Sequence, residues 1–458
     1  MDFIHRPYQP GETIAAVATP PGEGGVAIIR ISGKTALDVA AQVYSGPLRS
    51  YRSHQAHCGK IIDRTGAVVD EVLILPMLAP RSYTGEDTVE IHCHGGSLIT
   101  RRVLETVFQA GARPAQPGEF TFKAFMNGKL DLAQAEAVQE LIGAKNELAL
   151  EMAEQQLQGR LSQMIRSFQK ELVDIAAILE AWVDFPEEDL EFASMEEVIE
   201  ALIRLKDHME KLRDTFQEGK ILHHGLSLCL VGRPNAGKSS LMNALLGKDR
   251  AIVTDIPGTT RDLLEDDLKL GKLHFRLIDT AGIRETDELI EKEGIRRSKE
   301  AMQRADLILL LIDLSVDLCE QTQHLLQSAP SEKTILVWNK SDLSNNTSQI
   351  ESFPHQVIVS AKHQIGLDAL RDMIDRVIWR HGHPSKEEMV ITQARHHEAL
   401  VAAIDSLDQL IKGLKTGISP EFVASDMKQT LKELGTIIGT NISEEILTAI
   451  FSKFCIGK

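Results

Sequence analysis

Gly232-Arg-Pro-Asn-Ala-Gly237-Lys238-Ser239 directly follows the apolar run LCLV and precedes the helical pattern LMNALLG. Residues of these types at this spacing suit a phosphate, because successive backbone N–H groups can curl around an anion at a helix N-terminus where glycines allow close approach. Lys238 adds a point charge for the β- and γ-phosphates, and Ser239 offers a hydroxyl to Mg2+. Asn339-Lys340-Ser341-Asp342 follows TILVW. A carboxylate at Asp342 can accept from both the ring N1–H and the exocyclic amine of guanine, a donor pair that adenine lacks. Ser360-Ala361-Lys362 follows QVIV and is placed to close over the base. Taken singly, NKSD or SAK reads as a solvated turn.

Two further elements lie between these. Thr259-Thr260 in IPGTTRD supplies a switch I threonine, with Thr260 expected as the second protein ligand to Mg2+. Asp279-Thr280-Ala281-Gly282 ends an apolar strand, where a metal-side carboxylate and a γ-phosphate-facing N–H belong. Five elements in the expected order point to GTP. The next residue, however, is Ile283, where Ras-like enzymes carry a glutamine that orients the attacking water. An isoleucine can neither donate nor accept a hydrogen bond. Asn235, on the phosphate loop, could ligate a monovalent cation where an arginine finger would place its charge, with oxygens from Thr254, Ile256 and Thr259. Its alternative use is to stabilise the loop's turn. For the water, Glu285, Asp287, Glu288, Glu291 and Glu293 all stand in one acidic run, and the residues alone do not choose among them.

These groups need a scaffold. From His223 to about His381, strands (LSLCLV, LHFRLID, LILLLID, TILVWNK, QVIVS) alternate with helical patterns, which predicts a mostly parallel sheet with helices on both faces. Before it, Thr13 to Gly118 shows short β-rich runs broken by Gly/Pro turns, with one helix near SLITRRVLETVFQAG: an α+β unit. Lys129 to Phe216 has helical spacing, as in Met164/Ile165/Phe168/Leu172/Ile175/Leu179/Trp182, with a break at Pro186. Glu398 to Lys458 is helical again, with Leu400/Ile404/Leu407/Ile411, a start at Ser419-Pro420-Glu421, and Met427/Leu431/Leu434/Ile438. The economical expectation is an α/β domain inserted into a split helical domain, with boundaries at 1–122, 123–220, 221–383 and 384–458.

Composition bounds the function. At 458 residues, several cores are expected. No apolar run is long and uncharged enough to span a bilayer, and MDFIHRPYQPGET lacks a signal peptide's apolar region. Cys58, Cys93, Cys229, Cys319 and Cys455 are scattered, which fits a reducing cytoplasm. A net charge of -16 argues against coating nucleic acid, so any RNA contact is expected to be local or made through a partner.

Three stretches outside the nucleotide motifs are ATPPGEGGVAIIRISG, SYTGEDTVEIHCHGG with QPGEFTFKAFMNGKLDLAQAEAV, and the terminal FCIGK. Together with the GTP motifs they resemble the MnmE (TrmE) family of tRNA-modification GTPases over essentially the whole chain. The resemblance implies an N-terminal domain that binds 5-formyl- or methylene-tetrahydrofolate and dimerises, a discontinuous helical domain, and an inserted Ras-like P-loop GTPase domain. It implies K+-assisted GTP hydrolysis as a homodimer, joined by an FAD-dependent MnmG-type protein in a heterotetramer. The two would install an aminomethyl or carboxymethylaminomethyl group at C5 of the wobble uridine of certain tRNAs, in the cytoplasm and without a membrane.

Residue by residue, the resemblance puts K+ on Asn235, Thr254, Ile256 and Thr259, and picks Glu291 to orient the water. The nucleotide falls on Asn235, Ala236, Gly237, Lys238, Ser239 and Ser240, on Thr254, Asp255, Ile256, Pro257, Gly258, Thr259 and Thr260, on Asp279 through Gly282 with Thr280 and Ala281, and on Asn339 to Asp342 and Ser360 to Lys362. The folate contacts fall on Arg30, Glu90, Lys129 and Lys458. Cys455 could be a nucleophile beside a one-carbon donor, but the sequence favours a small residue packing under the last turn. His92-Cys93-His94 places two histidines on one side of a strand without a further ligand pair, so they read as structural. A ribosome-assembly GTPase would be expected to carry a basic RNA module such as a KH-type GXXG loop, which the last helices lack. A membrane-associated GTPase would carry a lipidation motif.

Overall fold

The computed structural model describes residues 10–184, 194–246, 267–270, 273–278, 299–344, 350–379, 389–417, 420–440 and 442–457. The chain divides into two compact units, one formed by Met1–Ile142, Glu154–Lys206 and Ala402–Lys458, the other by Gly143–Ala153 and Asp207–Val401.

In the first unit, β1 (Ile14–Val17), β2 (Gly24–Ser32), β3 (His57–Ile62), β4 (Val68–Met77), β5 (Thr88–Gly95) and the two-residue β6 (Arg113–Pro114) form a six-stranded sheet in the order β3-β4-β5-β2-β1-β6. All neighbours are antiparallel except β1 and β6. Alternation explains the sheet's sidedness. Ala27, Ile29 and Ile31 of β2, Val72 and Ile74 of β4, and Val89, Ile91 and Cys93 of β5 bury themselves against Val39, Ala40 and Val43 of the helix Ala36–Val43 and Val103 and Val107 of the helix Ser97–Gln109. The intervening Arg30, Glu90 and His92 therefore project from the other face. The strand runs and the SLITRRVL helix match expectation. The strand β3 and the helices Ala36–Val43 and Glu119–Met126 are additions that the sequence pattern did not single out.

The helical part of this unit draws on two segments far apart in the chain, Glu154–Lys206 and Ala402–Lys458. Ile165, Phe168, Leu172, Ile175 and Leu179 of the helix Arg160–Asp184 are buried, as are Met427 and Leu434 of the helix Pro420–Ile438. Gln169 Nε2 donates to the Leu431 carbonyl at 3.3 Å, and Lys206 Nζ pairs with Asp408 Oδ1 at 2.7 Å. The helical domain is thus discontinuous, its halves preceding and following the α/β segment in the sequence. The helix start expected at Ser419-Pro420 falls at Pro420, where a missing N–H costs nothing. Pro186 lies outside the described residues.

In the second unit, β7 (Leu226–Gly232), β8 (Asp267–Leu270), β9 (Leu273–Ile278), β10 (Leu307–Asp313), β11 (Thr334–Asn339) and β12 (Gln356–Ile358) take the order β12-β11-β10-β7-β9-β8. All pairs are parallel except β8 with β9. Both faces are covered, so the runs are continuously apolar rather than alternating. Leu309 and Leu311 join the core that contains Leu241 and Leu370, whereas Ile308, Leu310 and Ile312 join the core that contains Met302 and Phe353. Among the described residues, no helix is long and apolar enough to cross a membrane.

Candidate functional site

Gly232, Asp313 and Asn339 end three neighbouring parallel strands at their carboxyl edge, where open α/β sheets bind ligands. The loop from Gly232 runs into the helix Lys238–Leu246. Asn235 has φ of +63° and Gly237 φ of +96°. The first is a left-handed position that asparagine tolerates. The second admits no side chain at all, because a Cβ on Gly237 would stand 2.2 Å from Asn339 Nδ2. Lys238 Nζ folds back over the loop, donating to the carbonyls of Gly232 at 2.7 Å and Arg233 at 3.0 Å. Burial holds its pKa below the ordinary lysine value. Ser239 and Ser240 are exposed at the start of the helix.

Asn339 ties the site together. Only 2% exposed, it donates from Nδ2 to the Ala236 carbonyl at 2.8 Å and accepts at Oδ1 from the Ala361 N–H at 3.0 Å. One side chain thus sets the distance between the phosphate loop and the Ser360-Ala361-Lys362 loop. Asp342 is exposed, and its Oδ1 accepts from Ser360 Oγ at 2.6 Å. That hydrogen bond, the leading cause, outweighs desolvation and keeps the carboxyl below its usual range. Ser341 N–H donates to the Val359 carbonyl, and Lys362 is exposed. Lys340, at φ of +64°, sends its ammonium to Asp313 Oδ2 at 2.6 Å. Asp313 was not singled out in the sequence, although its place at the end of LILLLID was the signal available. Thr254 to Thr260, Asp279 to Gly282, Ile283 and the acidic run containing Glu291 lie outside the described residues.

On the sheet of the first unit, Arg30 and Glu90 face each other across β2 and β5. Arg30 Nε and Nη2 both stand 2.9 Å from Glu90 Oε1, and Arg30 Nη1 donates to the Gly457 carbonyl at 3.2 Å. The guanidinium lies 5.6 Å from the Tyr83 ring and 5.7 Å from the Phe120 ring, within cation–π range. Glu90 Oε2 stands 3.5 Å from His92 Nε2, a buried atom with no hydrogen-bond partner. Arg30 thus engages one carboxylate oxygen of Glu90, and the other stands beside His92. Lys129 is bonded to the Pro80 carbonyl at 3.0 Å, and Lys458 lies outside the described residues. Arg30 and Glu90 are therefore brought together with the C-terminal segment.

That segment docks through Gly118 N–H to the Cys455 carbonyl at 3.3 Å and through Phe451 and Phe454 against Leu132 and Ala135. The packing under the last turn is done by these phenylalanines. Cys455 itself is exposed, contrary to the expectation of a packed small residue. His92 and His94 do share a side of β5; among the described residues no three or more His, Cys, Asp or Glu side chains cluster as metal ligands would. A further residue the sequence did not flag is Lys123, fully buried, with Nζ at 2.6 Å from Glu86 Oε2 and at 2.5 Å from the Glu12 carbonyl.

A phosphate loop leading into a helix, with an Asn-Lys-x-Asp turn beside it at the carboxyl edge of a parallel sheet, defines a P-loop GTPase. Comparison narrows the class. The family model of the TrmE GTP-binding protein N-terminus matches residues 13–129, and that of the MnmE helical domain matches residues 132–455. The tRNA modification GTPase MnmE of Protochlamydia amoebophila is 64% identical over 458 residues, covering 100% of both chains. Its namesake from Syntrophotalea carbinolica is 45% identical, covering 98% of this chain and 99% of its own. The G domain of the T. maritima FeoB iron transporter overlays at a TM-score of 0.25 and 27% identity, covering 33% of this chain and 98% of that one, an overlap too slight to add to the assignment. The chain belongs to the MnmE family, and it is a GTPase of tRNA modification.

Proposed function

We propose that this GTPase uses K+ to hydrolyse GTP and, with an FAD-dependent MnmG-type partner, directs a tetrahydrofolate one-carbon unit to C5 of the wobble uridine of certain tRNAs. The product is an aminomethyl or carboxymethylaminomethyl group. The observation that carries the nucleotide half is Asn339, which fixes the phosphate loop and the 360–362 loop on one side chain. In this reading the N–H groups from Asn235 to Ser240 and the Lys238 ammonium take the phosphates, and Asp342 takes the guanine donors. Ser239 and Thr260 would hold Mg2+, with Asp279 on the metal's side, and Mg2+ would neutralise charge on the phosphate oxygens. Asn235, Thr254, Ile256 and Thr259 would hold K+, which would supply the positive charge of a missing arginine finger. Glu291 orients the water that Ile283 cannot.

The folate half rests on the Glu90 edge beside His92, with Lys129 and Lys458 for the carboxylates of 5-formyl- or methylene-tetrahydrofolate. Arg30 is already engaged by Glu90 and Gly457, so its role there is to hold the carboxylate and the tail in place. The working assembly is a cytoplasmic homodimer joined by its partner in a heterotetramer, divided at 1–122, 123–220, 221–383 and 384–458.

The test is steady-state GTP hydrolysis in KCl and NaCl at matched ionic strength, with Asn235→Gly as the decisive variant. Glycine keeps the left-handed φ but removes the side-chain oxygen, whereas alanine would add strain of its own. The expected result is K+ activation that falls about tenfold in Asn235→Gly, near 1.4 kcal/mol of barrier. Full activation in the glycine variant would mean that Asn235 serves only the turn.

A further inference from the structure

Asp313 ends β10 in register with Asn339 of β11, and the Leu314 N–H donates to the Asn339 carbonyl at 3.0 Å. Its two carboxylate oxygens have separate tasks. Oδ1 accepts from the Ser315 N–H at 2.9 Å and from Ser315 Oγ at 2.6 Å, which fixes the side chain's orientation. Oδ2 is left to the Lys340 ammonium at 2.6 Å, with the two side chains only 15% and 29% exposed. Burial by itself would raise the Asp313 pKa, but the hydrogen bonds from Lys340 and Ser315 outweigh it and hold the carboxyl below its usual range.

Lys340 stands two residues before Asp342, with its backbone in the left-handed region. A lysine there carries three donors on a flexible stem, and the nearest competing acceptor in sequence is the Asp342 carboxylate. Asp342 Oδ1 is already engaged by Ser360, and Oδ2 stands 3.7 Å from His363 Nε2, too far for a hydrogen bond. Whatever draws the Lys340 ammonium elsewhere keeps Asp342 open to a base.

We propose that Asp313 is a positioning residue for guanine recognition: it sequesters the Lys340 ammonium and so keeps the Asp342 carboxylate as a free acceptor. This rests on the reading of Asp342 as the guanine acceptor, which a separate variant checks. The probes are GTP and ITP, whose base lacks the exocyclic amine, with affinity and steady-state hydrolysis measured on the full chain. Asp342→Asn should erase the preference for GTP over ITP; if it does not, the guanine reading itself fails.

With that control met, Asp313→Asn should raise KM for GTP about tenfold while leaving kcat at saturation unchanged, and should narrow the GTP/ITP ratio. In a Lys340→Ala background, Asp313→Asn should add nothing, because the ammonium it holds is gone. The melting temperature of the nucleotide-free protein guards against a merely structural effect. Unchanged KM, additive losses in the double variant, or a drop in kcat together with melting temperature would each overturn the proposal.

Discussion

Asparagine at 235 occupies a left-handed backbone position, and the proposed K+ role asks its side-chain oxygen for a second service, which is why the glycine substitution separates the two where alanine cannot. Asp342 illustrates a different economy. Ser360 Oγ donates to one oxygen of its carboxylate and depresses its pKa, so the ionised form that the proposed guanine contact requires persists as the pH falls. The sign follows: a group whose folded pKa is lowered keeps its charge until the pH drops through that lowered value. Ser360→Ala removes the leading cause of the depression, so the acid limb of the GTP-affinity profile should move to higher pH. Titrating nucleotide affinity in both proteins checks this, and coincident acid limbs would show that Ser360 serves only the loop.

At the scale of elements, Gly457 lies so close to the first sheet that no side chain fits there. Gly457 has φ of +95°, and a Cβ on it would lie 2.2 Å from the Val17 carbonyl oxygen. Arg30 then binds its carbonyl from the neighbouring strand. Gly457→Ala should therefore release the tail, make it sensitive to carboxypeptidase, and weaken tetrahydrofolate binding by about tenfold or more, while basal GTP hydrolysis stays as in the parent. A released tail with undiminished folate affinity would place the folate site away from this segment. The same sheet shows why patterning reads elements better than sites. Alternation in GGVAIIRIS places Arg30 on the open face, but its pairing with Glu90 is fixed by the register of β2 with β5, and its bond to Gly457 spans 427 residues.

The whole molecule is a chain that leaves one compact unit and returns to it. Lys206 and Asp408 meet at 2.7 Å in the first unit although Asp207–Val401 belongs to the second. Each unit has its own apolar core, so the two should melt as separate transitions in a calorimetric scan. Saturating GDP with Mg2+ should raise only the transition of the second unit, since binding at about 100 Kd adds roughly 2.7 kcal/mol to the unit that holds the ligand. A single transition that moves as one would mean that the units unfold together. The net charge of -16 bears on the same scale, since phosphate backbones are repelled by most of such a surface.

The sequence by itself determined the local chemistry and the elements that bear it. Gly237, Lys238, Asn339 and Asp342 are legible because a phosphate loop and a guanine turn are contiguous, their spacing set by the reach of the backbone. The apolar runs of β7, β10 and β11 are legible because strands buried on both faces cannot alternate. Tertiary structure alone decided the contacts between residues far apart in the chain: Asp313 with Lys340, Lys123 with Glu86, Arg30 with the Gly457 carbonyl, and the exposure of Cys455. The first depends on β10 lying beside β11 in register, and the others on how the helix Glu119–Met126 and the C-terminal segment pack against the first sheet; both are settled by the packing of whole faces rather than by any one residue's type.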